Sequence, residues 1–582
     1  MVRKDVAPKK TIERIENILY GIGLDYTIIN EVNNRDNFYS VRVEVNENGF
    51  VLGANGKGIT RELALASGLA ELIERLQSRV SIKFWYSTKD YPEKAFVHEY
   101  ISKAPLNNFI NSDFIGYNDS KMICYRIDYV NAVNNTIISV PNRLVNLTCG
   151  SNGLCAGNSK AEAIVQGASE VFERYVQKLI LKKHIKCPYI RKEAMAEYSF
   201  AQKMLYFEEV GLEWEILDCT DGEKFPVVGL LIVDKKVMKY AVVLGSDVDF
   251  EIAVERCITE LLQGRRLENL TTNYMKSIDF KDINEQSVEW NDEQLSDYYD
   301  FMDNYISNNG KYPLYLFFET AQVDIPSVFK HVLNNDEAYE QILGIVNKNN
   351  LSLLYTDFSY LGFPTYRVYI PTLSTIFEME TDSFKFIDNI QENMMLMMKI
   401  SSLDDVERQR LVVNLAGFSK TYTNRRNSFQ TILFKFCGDK NFDFNYLYLD
   451  FVISLLYLSL LDYKKAAKYY SRFLNELKYN RGQSINELLS VIYLYIIELA
   501  NGCCLDEIRE KYRHIFNDTT SQYVYEFIKY NKCLQIVYWP NCPECETCAY
   551  GKNCAYIEWK KIDKILRTKQ KEFYTKGLDN SN

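Results

Sequence analysis

From Thr11 to Tyr20, apolar Ile12, Ile15, Ile18 and Leu19 recur at helical spacing, which predicts an amphipathic helix. Between Phe38 and Val45 the period changes to two: Val41, Val43 and Val45 alternate with Ser40, Arg42 and Glu44. Asn48-Gly49 then supplies a tight turn and Phe50-Val51-Leu52 returns, so a β-hairpin is expected. A loop at GANGKG (53–58) leads into a long amphipathic stretch, Thr60 to Arg79, with no internal proline. A second such helix is expected from about Lys160 to Leu181. Further strands are expected at Val227–Val233, Tyr240–Leu244, Leu351–Thr356 and Tyr366–Ile370. Strands and helices mixed in this order predict a layered core of α+β or α/β type over residues 1–390.

The pattern then changes. Proline is absent between Pro371 and Pro540, and helical periodicity dominates. The stretch from Asp462 to Tyr470 resembles the second helix of a tetratricopeptide unit, with Ala466 and Ala467 where helices pack closely. No clear 34-residue period accompanies it. Residues 391–535 are therefore expected to form a helical, tetratricopeptide-like domain, and 536–582 a cysteine-rich tail.

Composition narrows the class. Hydrophobic residues make up 47% of 582, enough for two or three folded domains. A net charge of −9 gives a surface that does not attract nucleic acid or anionic membrane as a whole. The N-terminus has no apolar core of signal type. The longest apolar run, Phe451 to Leu461, is too short to span a bilayer and reads as a buried helix. A cytoplasmic location is the expectation. Of the 14 cysteines, the ten outside the tail read as small buried hydrophobes of a reducing compartment. The four histidines, His98, His184, His331 and His514, stand isolated, so the chemistry is expected to rest on other residues.

Those residues are acidic. Ser67-x-x-x-Glu71-x-x-Glu74-Arg75 places two carboxylates on one helix face. Asn158-x-x-x-Glu162 is followed by Glu170-x-x-Glu173-Arg174, and Arg256-x-x-x-Glu260 by Gln263. Glutamates at this spacing ordinarily form solvated faces with weak ion pairs. Here the Glu-x-x-Glu-Arg pattern occurs twice, each time in a segment too apolar to be a free surface helix. Each is also preceded by glycines read as a turn, Gly56-Lys57-Gly58 and Gly153 to Gly157. If the helices pack together, the carboxylates converge. Their mutual repulsion is then relieved by a hard divalent cation such as Mg²⁺, with Arg and Lys left to neutralise a polyphosphate. No P-loop spacing and no dinucleotide fingerprint is present.

These segments closely resemble the YcaO family: GKGITRELALASGLAELIERLQSR at 56–79, SNGLCAGNSKAEAIVQGASEVFERYVQ at 151–177, AVERCITELLQGR at 253–265 and TDFSYLGFPTYRVYIPTL at 356–373. The resemblance covers about the first 390 residues and implies an α+β catalytic domain that binds ATP and Mg²⁺. By it, Glu71, Glu74, Glu162, Glu170 and Glu173 are the expected magnesium ligands. Lys4, Thr11, Ser67, Asn158, Arg174, Arg256 and Glu260 are the expected nucleotide contacts; catalytic residues are not assigned. The family phosphorylates a peptide amide oxygen after a nucleophile has added to the amide carbon, which turns a poor leaving group into a good one.

Azoline-forming members end in a proline-rich tail, whereas this chain ends KEFYTKGLDNSN. A catalytic domain followed by helices looks instead like the stand-alone members, linked to β-methylthiolation of a small-subunit ribosomal protein as helpers of RimO. A protein or peptide partner and a homodimer are thereby implied. Two other readings stand beside this one: azoline or thioamide formation on a ribosomally made peptide, and a scaffold with a structural nucleotide. Cys542-x-x-Cys545-x-x-Cys548-x₅-Cys554 is the remaining signal, spaced to hold Zn²⁺ or an iron–sulfur cluster in a structural role.

Overall fold

A computed structural model describes residues 3–35, 37–47, 50–79, 98, 100–101, 125–278, 312, 314–317, 321–376, 390–421, 449–481, 487–536, 546 and 556–579. Helix α1 (Pro8–Gly21) opens on a proline, whose missing N–H has no partner to lose in a first turn, and buries Thr11, Ile15 and Leu19. Strands β1 (Thr27–Asn34), β2 (Phe38–Glu47) and β3 (Phe50–Gly58) form an antiparallel sheet. Its β2–β3 register closes with Glu47 opposite Phe50, as the predicted hairpin requires. Asn48 and Gly49, the predicted turn itself, lie outside the described residues.

The GANGKG segment corrects an expectation: it is strand, the end of β3, and not a loop. Its glycines serve close packing on α2 (Arg61–Ser78). A Cβ on Gly56 would lie 1.9 Å from the Ala64 carbonyl oxygen and 2.4 Å from the Gly68 nitrogen. Only a residue without a side chain lets strand and helix meet at that distance. The second glycine-bearing segment likewise contains a short strand, Leu154–Ala156, between Gly153 and Gly157.

The chain continues through β4 (Tyr100–Ile101), β5 (Tyr125–Asn131), β6 (Ile137–Val140), β7 (Leu154–Ala156), α3 (Lys160–Lys183), β8 (Tyr189–Ile190), α4 (Ser199–Glu209), β9 (Glu213–Asp218), β10 (Val227–Asp234) and β11 (Lys239–Ser246). After α5 (Phe250–Leu261) come β12 (Lys276–Ser277), β13 (Gln322–Val323), α6 (Asn335–Lys348), β14 (Leu354–Asp357) and β15 (Thr365–Tyr369). One sheet runs β12-β11-β10-β9-β8-β13; the other runs β4-β5-β14-β15-β7, with β6 on β5. The pairings are antiparallel except β8 with β13.

Helix α2 touches β2 and β3 but also β7 and β15; α3 touches β15 and β11; α5 touches β11 and β10 but also β2 and β3. Each of these helices is therefore shared between two sheets. That is why their sequences are apolar over more than one stripe, and it confirms the α+β layering.

Beyond residue 390 the described chain is helical: α7 (Asp405–Thr421), α8 (Leu449–Ser459), α9 (Tyr463–Arg481), α10 (Glu487–Ala500) and α11 (Asp518–Lys529). Every residue of α8 is buried, as the apolar run from Phe451 predicts. The last helix, α12 (Tyr556–Asp579), returns to the first sheet. Trp559 is 1% exposed and stacks on Phe50 with ring centroids 5.8 Å apart. Asp563 pairs with Arg79, and the Tyr574 hydroxyl donates to the Asp357 carbonyl at 2.9 Å. Cys542, Cys545, Cys548 and Cys554 lie outside the described residues. Among the described residues no helix is long and apolar enough to cross a membrane.

Candidate functional site

The three helices that carry the acidic motifs are capped in one way. Thr60 accepts from the Leu63 amide, Ser159 from the Glu162 amide, and Asp249 from the amides of Glu251 and Ile252. The caps fix where each helix starts against the glycine-bearing strands, and so which face its glutamates present.

Lys4, Thr11, Asn158 and Glu162 form one network. The Lys4 Nζ lies 3.0 Å from Glu162 Oε1, and the Asp5 amide donates to Oε2 at 3.2 Å. The Asn158 amide nitrogen donates to both carboxylate oxygens at 3.2 Å, and Thr11 Oγ1 donates to Asn158 Oδ1 at 2.8 Å. Residues from the N-terminal segment, α1 and the start of α3 are thus brought together.

Glu71 and Glu74 on α2 lie within electrostatic reach of Glu170 on α3, one turn from Glu173. All four are partly exposed. Burial pushes the Glu74 carboxyl well above the usual range, and the charges of Glu71 and Glu170 add to it. Burial likewise pushes Glu170 up to about 7, with Arg174 and Lys57 opposing and Glu173 and Glu71 reinforcing. Glu173 is raised by burial against the pull of Arg174, Lys57 and Arg256. Lys57 is lowered to about 8 by burial, with Glu173 and Glu71 opposing.

Basic side chains hold the rim. Arg75 pairs with Glu71 and Lys57 with Glu260. Arg256 donates to Gln166 Oε1 at 2.8 Å and lies 3.1 Å from Asp247 Oδ2. Ser67 is exposed on α2. The Asn55 amide donates to Glu71 Oε2 at 3.3 Å, and beside it opens a polar cleft of about 280 Å³ lined by Ser40, Arg42, Asn55, Gln263 and Arg265.

The expected convergence of all the carboxylates on one point is corrected here. Glu162 sits with Lys4 and Asn158, Glu260 with Lys57, and among the described residues no three acidic, histidine or cysteine groups are close enough to cage an ion. Like charges part and pair with the nearest cation, which separates them into subsites. The donor set still fits a hard divalent cation and a polyphosphate: the acceptors are carboxylate oxygens, and Lys4, Lys57, Arg174 and Arg256 surround them. The sequence reading missed Arg3 and Asp247. Neither belongs to a periodic motif, and they meet across 244 positions at 3.0 Å.

A family model described as a YcaO cyclodehydratase that binds ATP and Mg²⁺ matches residues 55–374. The ribosomal protein S12 methylthiotransferase accessory factor YcaO of Escherichia coli is 27% identical over 405 residues, 65% of this chain and 66% of its own length. An uncharacterized protein of Haemophilus influenzae is 26% identical over 402 residues, 64% of this chain and 66% of its own length. The chain thus spans just under two thirds of these relatives. The structure of YcaO from Methanopyrus kandleri bound with AMPPCP and Mg²⁺ aligns with a TM-score of 0.43 at 18% identity, covering 64% of this chain and 92% of that one. The matched segment holds Glu71, Glu74, Glu162, Glu170, Glu173, Arg174 and Arg256 and spans more than half of the sequence, and the chain belongs to the YcaO family.

Proposed function

We propose that this chain is an ATP- and Mg²⁺-dependent enzyme that activates a peptide backbone amide by O-phosphorylation. The observation that carries the reading is the raised carboxyls of Glu74 and Glu170, pushed up by burial and then by neighbouring carboxylates, a cost that a divalent cation would relieve. Bound ATP supplies the phosphoryl group that makes the amide oxygen a leaving group. Glu71, Glu74, Glu162, Glu170 and Glu173 would hold Mg²⁺, while Lys4, Arg174 and Arg256 would bind phosphate oxygens and Thr11, Ser67, Asn158 and Glu260 would complete the nucleotide contacts. We infer that a peptide backbone would approach through the polar cleft beside Asn55 and Glu71, which is open and lined by Ser40, Gln263 and two arginines.

The biological role we infer is that of accessory factor in RimO-dependent β-methylthiolation of a small-subunit ribosomal protein. It rests on the Escherichia coli relative's name at 27% identity. Azoline formation on a ribosomally made peptide is the second reading, favoured by the cyclodehydratase description of the matching family.

Isothermal titration of ATP with Mg²⁺ into the wild type and Glu71→Gln tests the site. Binding that collapses in the variant supports it. A folded wild type that binds no ATP overturns the enzyme reading and leaves a scaffold.

A further inference from the structure

We propose that Asp247 is a positioning residue that fastens the N-terminal strap, residues 3–5, to Arg256, so that Lys4 and Arg256 are held as one unit; this rests on the ATP reading above. Asp247 directly follows β11 and its side chain is fully buried. Arg3 reaches it with Nη2 at 3.0 Å from Oδ1 and 3.1 Å from Oδ2, and Arg256 Nη2 lies 3.1 Å from Oδ2. The Asp249 amide donates to Oδ1 at 3.0 Å, which orients the carboxylate. A buried carboxylate held by two guanidinium groups is a rigid anchor, because losing either cation leaves the buried charge only partly compensated.

Besides the contacts of Lys4 and the Asp5 amide with Glu162, the strap has further fastenings. Arg3 Nε donates to Asn335 Oδ1 at 2.9 Å, Asn335 Nδ2 donates to Asp5 Oδ1 at 2.8 Å, and Ser159 Oγ bonds Asp5 Oδ2. Ser159 caps α3 one turn before Glu162, the partner of Lys4. The strap therefore joins the end of β11, the start of α6 and the start of α3. It also places Lys4 relative to Arg256, although the two residues touch no common atom. Arg3 is 7% exposed and its Nη1 is buried with no acceptor among the described residues, so the guanidinium has a donor to spare beside the predicted phosphate contacts.

The test uses the full chain, with ATP and Mg²⁺ as ligand and two readouts: affinity by titration calorimetry, and the rate of tryptic cleavage after Lys4 followed by intact mass. Arg3→Gln is expected to weaken ATP about tenfold and speed that cleavage about tenfold, the loss of one charge-assisted contact. Asp247→Asn is expected to act through the same contact, so the double variant is no weaker than the worse single one. Arg3→Gln with both readouts within about twofold of wild type, or losses that add in the double variant, would overturn the proposal. If Asp247→Asn does not fold, Arg3→Gln decides alone. A wild type that binds no ATP but resists cleavage overturns the ATP reading, and the positioning role falls with it.

Discussion

The Lys4 ammonium lies 3.0 Å from the Glu162 carboxylate across 158 positions of sequence. Lys4 is 42% exposed and Glu162 6%, so the pair sits at a mouth with the carboxylate inside. Because Lys4 is half-exposed and Glu162 keeps the donors of Asn158 and Asp5, the pair contributes little to folding, about 1 kcal/mol. Lys4→Met is therefore expected to leave thermal unfolding nearly unchanged while weakening ATP affinity by about tenfold or more. Equal losses of stability and affinity would show that the pair is structural.

Glu170 carries a pH dependence whose sign follows from its environment. Its carboxyl is pushed up to about 7, mainly by burial, from an unfolded value of 4.5. The folded state then holds its proton longer than the unfolded state does. The stability linked to this group is complete below pH 4.5 and is lost as pH rises through about 7. Glu170→Gln is expected to raise the melting temperature by about 1–3 °C at pH 8 with no gain at pH 4. Scanning calorimetry at both pH values checks this, and a uniform gain would contradict it.

Gly56 and Gly21 make a matched pair. A Cβ on Gly56 runs into the Ala64 carbonyl and the Gly68 backbone, whereas a Cβ on Gly21 meets nothing within 4 Å. Gly56→Ala is expected to lose roughly 2–3 kcal/mol by forcing β3 off α2, and ATP binding with it. Gly21→Ala is expected to stay within about 0.5 kcal/mol of wild type by urea unfolding.

The cysteine spacing predicts bound metal. Plasma mass spectrometry of protein purified without added metal is expected to find zinc or iron in about one site per chain, where zinc needs four ligands and a cluster several irons. Cys545→Ser together with Cys548→Ser should remove it while ATP binding persists. Metal content unchanged by the double substitution would place the metal elsewhere.

Much of this was present in local pattern. Glu71 with Glu74, and Glu170 with Glu173, stand three apart on helices, so their shared faces follow from 3.6 residues per turn alone. The hairpin of β2 and β3 follows from alternating valines, and the buried α8 from an unbroken apolar run. Three relationships did not follow. The glycines of β3 look like a turn by composition, and only the presence of α2 above them shows that they are strand. The glutamates look like one cluster, and only the cations that fold beside them divide it, Lys4 at Glu162 and Lys57 at Glu260. Helix α12 comes back to Phe50 and Arg79 through single contacts that repeat at no period. Which residues share a helix face or a strand face was legible before folding, because that depends only on near neighbours along the chain. The tertiary structure alone decided which charge answers which, because partners such as Arg3 and Asp247 meet by the packing of separate elements and leave no periodic trace.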